Sequence, residues 1–397
     1  MKPVKVALVG SGNISYTYLN TLKNGGFTIT EMVGCSDLIP EKSKARAETF
    51  GIRQMTTEEI LQDPEIEIVL NTTGPRDHHF VTQSILEAGK HAYSEKALDT
   101  SFDNAKELYE LAAKKGLRLG AAPDCYMGSA YQTARKLIDD GWIGTPLFAH
   151  AFCYRGYNVH ERNQDFPNFG VSGTTIHYDM SGYYINVLVN LFGAVNRVSG
   201  FSRPFEGRVL TNPLHPNYKQ TATAGSGSTL SMGCLEFDSG LYASLTMCAD
   251  GMGPEVPRVE VYGTEGHLTL PDPNCFGGWG NDVYLTRIGN NERMKMPFSH
   301  GFGDTDPKIP PVSSNPWEAC FNSWRGIAVV DMAWAIRRNR PHRSSAELAL
   351  HAVEIANAID ISNAENITCI MTTKPERPAP LTAGLMGRSA EASIDSV

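Results

Sequence analysis

"VKVALVGSGNIS", Val4 to Ser15, sets a short β-branched apolar run against a turn with glycines at 10 and 12, after which the pattern becomes helical. Strand, glycine turn and helix in that order make the opening step of a dinucleotide-binding βα unit. The glycines let the chain turn tightly and bring backbone N–H groups to a helix N-terminus, where a pyrophosphate is favoured. Gly10, Gly12, Asn13 and Ile14 are therefore the expected cofactor-binding residues of this turn. Ser15 stands where a third glycine would, and is small enough for close helix–strand packing. Asp37 closes the second apolar run about 20 residues further on, where a carboxylate accepts from ribose hydroxyls and repels a 2′-phosphate. NAD is thus expected over NADP, with a plain helix cap in "SDLIPEK" as the alternative use of Asp37.

Outward from this unit, "TITEMVGC", "EIEIVLNTT", "KHAYS" and "LRLGA" alternate with amphipathic stretches such as "SFDNAKELYELAAKK". That alternation predicts an α/β domain over residues 1–122, a doubly wound parallel sheet covered by helices on both faces. After Ala122 the texture changes to one helix ("SAYQTARKLIDDG"), one strand ("PLFAHAFCYRG"), an irregular stretch and a helix from about Tyr178. Strands joined by short turns such as "DSG" follow, then two late helices, "WEACFNSWRGIAVVDMAWAIRRN" and "SAELALHAVEIANAIDIS". Residues 123–375 are read as an α+β domain with a mostly antiparallel sheet. The tail 380–397 lacks periodicity and bulky residues and is expected to be disordered. No internal repeat is present.

The 397 residues carry 43 acidic and 35 basic side chains, a net charge of -8, with no Lys/Arg-rich run. A nucleic-acid or anionic-membrane partner is therefore not expected, and a small ligand is. The apolar run Val4–Val9 is too short for a signal or membrane segment. Eight cysteines are scattered without a C-x-x-C pair, so no disulfide framework or thiolate metal site is indicated and a reducing cytoplasm is expected. Neither H-x-x-x-H nor H-E-x-x-H occurs, and no metal is expected.

"KHAYSEKALD" ends in adjacent Glu95 and Lys96 at the carboxyl edge of the predicted sheet, where ligands of such domains bind. A lysine there can exchange a proton with a carbonyl or hydroxyl oxygen while hydride moves to or from a nicotinamide; the alternative is a surface ion pair. If the segment from Tyr178 is helical, Asp179, Tyr183 and Asn186 share one face, directed at the interdomain cleft.

Taken together, "VGSGNIS", Asp37, the P-x-x-H of Pro75 and His78, "AGKHAYSEKAL", "DMSGYY" and "VYGTEGHLTLPDP" resemble the glucose-fructose oxidoreductase, inositol dehydrogenase and MocA (Gfo/Idh/MocA) family of NAD(P)-dependent oxidoreductases, over the chain up to about residue 375. The resemblance implies an N-terminal Rossmann domain and a C-terminal α+β domain whose large open sheet mediates oligomerisation, as a homodimer or homotetramer. It gives Lys96 the catalytic lysine's role, with Ala97 where the family has proline, and Asp179 and Tyr183 the aspartate and proton-transfer positions, with Ser181 in place of the usual glycine. Thr73, His78, Glu95 and Lys96 are then expected beside the cofactor, with a role at the helix start as the alternative for His78. A phenol with a pKa near 10 needs an adjacent ammonium to act as a base, so Lys96 and Tyr183 are expected to share the proton while Asp179 orients a sugar or polyol.

Arg155, His160 and Asp165 fall in an irregular stretch suited to covering the cleft, and with His177, Tyr184 and Asn186 are the expected substrate contacts. For His177 the alternative is a role at the helix start, and for Tyr184 it is packing. Trp279, among glycines, is a candidate surface for a sugar ring or a turn anchor. The function expected is an NAD-dependent oxidoreductase acting on a secondary alcohol or ketone of a sugar, glycoside or cyclitol. The alternative is a redox-neutral enzyme of the same family that retains NAD and cleaves a glycoside; a dinucleotide-sensing protein would have no need of the Lys96–Tyr183 pair.

Overall fold

The computed structural model describes residues 1–154, 176–203, 228–249, 259–278, 281–303 and 324–395. The N-terminal sheet holds β1 (Val4–Val9), β2 (Thr30–Ser36), β3 (Arg53–Gln54), β4 (Ile66–Asn71), β5 (His91–Ser94) and β6 (Leu119–Ala121). Its order is β3-β2-β1-β4-β5-β6, with every pairing parallel. Crossovers are made by α1 (Asn13–Asn24), α2 (Pro40–Phe50), α3 (Thr57–Gln62), α4 (His78–Glu87) and α5 (Phe102–Lys115). Strands covered on both faces need near-continuous apolar runs, and β4 supplies one: Ile68 and Leu70 enter one core, Ile66 and Val69 the other. The strand order reverses between β1 and β4, and that switch point, at the carboxyl ends, is where such folds open a ligand crevice.

Past α6 (Ser129–Asp139), a second sheet is built from β7 (Pro146–Tyr154), β8 (Val195–Arg203), β9 (Leu230–Phe237), β10 (Tyr242–Cys248), β11 (Val259–Gly263), β12 (Gly266–Leu270), β13 (Val283–Arg287), β14 (Asn290–Met296) and β15 (Cys369–Ile370). Its order is β14-β13-β12-β11-β7-β10-β9-β8-β15, with only the β7–β10 pairing parallel among the described strands. Period-2 alternation in β7 buries Ala149, Ala151 and Cys153 and exposes Phe148, His150 and Tyr154 on the other face. The fold class is thus the one the sequence implies: a doubly wound parallel sheet followed by an α+β domain with an open, mostly antiparallel sheet.

Three long helices complete the core: α7 (Ile176–Phe192), α8 (Ile327–Arg338) and α9 (Ala346–Glu365). Of the helix expected from Trp317, residues 317–323 lie outside the described residues; the described helix starts at Ile327, after Gly326 with its left-handed φ of 103°. Helix α9 packs against α5, α7 and β8, so residues of both sheets share one core.

The tail expected to be disordered is instead packed as far as Asp395. Leu381 and Ile394 are buried, and the tail ends in a short helix, α10 (Ala390–Asp395). Glu391 accepts from Thr28 N (3.0 Å), at the entrance to β2, and Asp395 pairs with Arg338 of α8 (2.7 Å). Leu381 and Ile394 point inward while Met386 is exposed, and Gly301 leaves room for Ala390, which would meet an added Cβ at 2.7 Å. A composition rich in small residues conceals such close packing.

Candidate active site

The glycine turn does at the backbone what its sequence requires. Gly10 has a φ of 97°, and a Cβ there would stand 2.6 Å from the backbone of Thr72 and Thr73. A Cβ on Gly12 would meet nothing within 4 Å. Helix α1 starts at Asn13 with no side-chain cap, so its first N–H groups are available to an anion. Asn13 is exposed and Ile14 half-buried beside them. Asp37 Oδ2 accepts from Ser11 N (2.7 Å) and Oδ1 from Ile39 N (2.8 Å), which fixes the carboxylate against the turn. An open cradle, an uncapped helix and a fixed carboxylate fit a dinucleotide.

The loops after β4 and β5 are tied together. Asn71 accepts from Thr73 Oγ1 (2.6 Å) and donates to the His78 carbonyl (2.9 Å). The His78 ring nitrogens lie 2.8 Å from Ala97 O and 3.1 Å from Thr73 O. Burial lowers the His78 pKa, favouring the neutral ring. A neutral ring donates to one of these two carbonyls, and His78, the first residue of α4, sits buried between the loops after β4 and β5. Glu95 is buried and accepts from Tyr18 Oη (2.7 Å). The Lys96–Ala97 peptide is cis.

Helix α7 brings the predicted polar face into place. Lys96 Nζ donates to Asp179 Oδ1. Burial opposes the Lys96 charge, but Asp179, with Tyr183 and Glu95, outweighs it and raises the ammonium's pKa above the ordinary lysine value. The Tyr183 ring has Lys96 Nζ 5.6 Å and Arg325 Cζ 5.3 Å from its centroid. Arg325 Nη1 donates to Tyr183 Oη (3.0 Å) and Nη2 to Asn274 O (3.2 Å). Burial pushes the Tyr183 phenol up to about 12, with Arg325 and Lys96 pulling against it. Burial thus favours the neutral phenol, against the pull of the two cations that would favour the phenolate. Asn186 donates to Pro123 O (3.1 Å).

Two expected substrate contacts face elsewhere. His177 is fully buried, with Nε2 2.8 Å from Ala356 O and Nδ1 2.8 Å from Ser231 Oγ, and it links α7 to α9 and β9. Tyr184, one residue round the helix from Tyr183, is fully buried and donates to Asp272 Oδ1 (3.0 Å). Arg155, His160, Asp165 and Trp279 lie outside the described residues. Among the described residues, no group of three His, Cys, Asp or Glu side chains is placed to hold a metal ion.

Sequence reasoning missed Arg325 and Asp124. Asp124 is fully buried behind the site, where Oδ2 accepts from Gly326 N (2.7 Å) and Ala328 N (3.2 Å) and so anchors the first turn of α8, next to Arg325. Burial raises its carboxyl to about 6, against these donors. An arginine before a glycine, more than 140 residues from the tyrosine it meets, carries no local signal.

Residues 4–122 match the model of an oxidoreductase family with an NAD-binding Rossmann fold, and residues 131–269 match that of the GFO/IDH/MocA C-terminal domain. An uncharacterized oxidoreductase of Schizosaccharomyces pombe is 30% identical over 207 residues, 50% of this chain and 54% of that protein. The chain thus spans about half the length of this relative. The scyllo-inositol 2-dehydrogenase (NAD(+)) of Bacillus subtilis is 27% identical over 272 residues, 67% of this chain and 73% of that enzyme. A levoglucosan dehydrogenase, solved with NADH and L-sorbose, superposes with a TM-score of 0.73 at 19% identity, covering 94% of this chain and 100% of its own, a likeness of fold.

Proposed function

The chain belongs to the Gfo/Idh/MocA family of NAD-binding oxidoreductases, and from that premise we propose that it interconverts a secondary alcohol and a ketone of a sugar, glycoside or cyclitol. One observation carries the reading: a lysine fixed by a carboxylate, Lys96 on Asp179, stands beside a buried tyrosine, Tyr183, at the carboxyl edge of the dinucleotide-binding sheet. The inositol and levoglucosan dehydrogenases among its relatives support this substrate class.

NAD, when bound, accepts the hydride at its nicotinamide, and NADH returns it. The chain's own residues do the rest. The Gly10–Gly12 turn and the first turn of α1 hold the pyrophosphate, and Asp37 accepts from the adenosine ribose. In reduction Lys96 Nζ gives its proton to the carbonyl oxygen; in oxidation the neutral amine takes it back. Tyr183 Oη receives its hydrogen bond from Arg325, which leaves its own hydrogen for the substrate oxygen, and two donors then polarise one carbonyl. Asp179 orients the polyol by accepting from its neighbouring hydroxyls.

The outer face of the second sheet supports a homo-oligomer. Phe201, Met232 and Tyr242 are exposed there, and Phe148 stacks on Tyr262 with ring centroids 4.5 Å apart. No helix among the described residues is long and apolar enough to cross a membrane, and the free thiols among the described cysteines suit a reducing cytoplasm.

The proposal is tested by incubating the protein with NAD and a panel of monosaccharides, cyclitols and glycosides, following NADH and released aglycone together. NADH accumulating with one substrate group is the expected result. Aglycone release that depends on bound NAD without net NADH would replace it with a redox-neutral glycoside-cleaving activity.

A further inference from the structure

The Lys96–Asp179 pair has a second face. A crevice runs between α7, α9 and the loops that follow β5 and β6, and both Lys96 and Asp179 line it, whereas Tyr183 does not. Its far wall is made of small side chains of α9, Ala349, Ala352 and Ala356. The space left is enough for about two water molecules.

Polar groups along it are placed to hold them. Asn186 also lines the crevice; it is 2% exposed, its amide nitrogen is engaged by Pro123 O, and its Oδ1 has no hydrogen-bond partner among the described residues. A buried carbonyl oxygen left this way costs free energy unless water reaches it. Farther along, Tyr178 lines the crevice and donates to Asp360 Oδ2 (3.1 Å), a half-buried carboxylate that also accepts from Ser202 (2.6 Å).

Ketone, NADH and one proton give alcohol and NAD, so each turnover moves one proton between solvent and site. Substrate and cofactor seated at the carboxyl edge of the sheet would cover what is exposed of Lys96, whose side chain is 21% accessible. We infer that this crevice is the proton path of the reaction, with Asp179 carrying the proton between Lys96 and crevice water; the inference rests on the oxidoreductase reading. In reduction Lys96 gives its proton to the carbonyl oxygen as the carbon gains the hydride. A proton from solvent then passes along the crevice water to Asp179 and on to the neutral amine, restoring the ion pair. In oxidation every transfer runs the other way, and one proton leaves.

The test fills the crevice from α9, away from the residues assigned to the reaction. Ala352→Leu and wild type are compared for ketone reduction by NADH in H2O and in D2O. The variant is expected to lose about tenfold or more in kcat, as when a proton transfer is obstructed. Its solvent isotope effect should rise, while KM and NADH affinity stay at wild-type values. Ala352→Ser, which keeps the crevice open, should match wild type throughout. If leucine prevents folding, Ala352→Val applies the same obstruction at smaller size, with the same signature expected. A folded, NADH-binding leucine or valine variant with unchanged kcat and unchanged solvent isotope effect would overturn the path. Wild type that turns over no NADH with any member of the panel would instead overturn the oxidoreductase reading, and the path with it, because a redox-neutral cycle moves no net proton.

Discussion

Lys96→Met lowers turnover on the order of 10²- to 10⁴-fold, the range that positioned proton transfer contributes, while NADH affinity, measured by fluorescence titration, stays close to wild type. Methionine approximates the stem of lysine but carries no proton. It also leaves Asp179 without its ammonium, so the variant tests the charge pair together with the proton. The glycine turn and Asp37, which hold the dinucleotide in this account, are untouched. The pH profile of the wild type gives a second reading of the same group. Because Asp179 keeps Lys96 protonated beyond the ordinary lysine range, the rate of ketone reduction should hold at alkaline pH where a free lysine, with a pKa of about 10.4, begins to lose its proton. The rate should fall only above that. Removing the carboxylate in Asp179→Asn should move this alkaline limb to lower pH. Loss of NADH binding equal to the loss of turnover in Lys96→Met would show that the lysine holds cofactor rather than moves a proton.

Deleting residues 381–397 is the second large effect, and it falls on stability. The cut removes Leu381 and Ile394, each worth about 1.5–3 kcal/mol when fully buried. It also removes the Ile394 carbonyl that accepts from Arg340 (2.8 Å) and Arg343 (3.1 Å). Arg343 is buried and keeps Asp331 as its partner, so it loses one acceptor without becoming an unpaired charge. The two side chains together amount to about 3–6 kcal/mol, a large share of the 5–15 kcal/mol typical of a folded domain, and the Glu391 contacts to Thr28 and Ile29 are lost besides. The denaturant midpoint should drop accordingly. An unchanged midpoint would mean that the tail contributes nothing to the fold.

These two predictions mark what the sequence does and does not reveal. The βα unit around Gly10 is local: strand, turn and helix lie within some twenty residues, and each has its own residue signature, so the N-terminal sheet can be read directly. Lys96, Asp179 and Tyr183 are legible because helical spacing and resemblance to a known family point to the same residues. Their ionisation is not legible, since it depends on burial and on Arg325, which reaches Tyr183 only after the chain has folded. His177 misleads for a related reason: it lies two residues from Asp179 in sequence, but the turn of α7 sends its ring toward α9 and β9. The tail misleads through composition, because alanine and glycine can mark close packing as well as disorder.

The central claim is that hydride passes between the nicotinamide and a carbon of the substrate, and isotope transfer tests it most directly. NADH carrying deuterium at both positions of C4 of the nicotinamide is incubated with the keto form of the substrate found in the panel, and the product is examined by mass spectrometry and NMR. One deuterium per product molecule is expected, bound to the carbinol carbon, with no transfer by Lys96→Met on the same timescale. Product formed without deuterium, while the label stays on the cofactor, would contradict it.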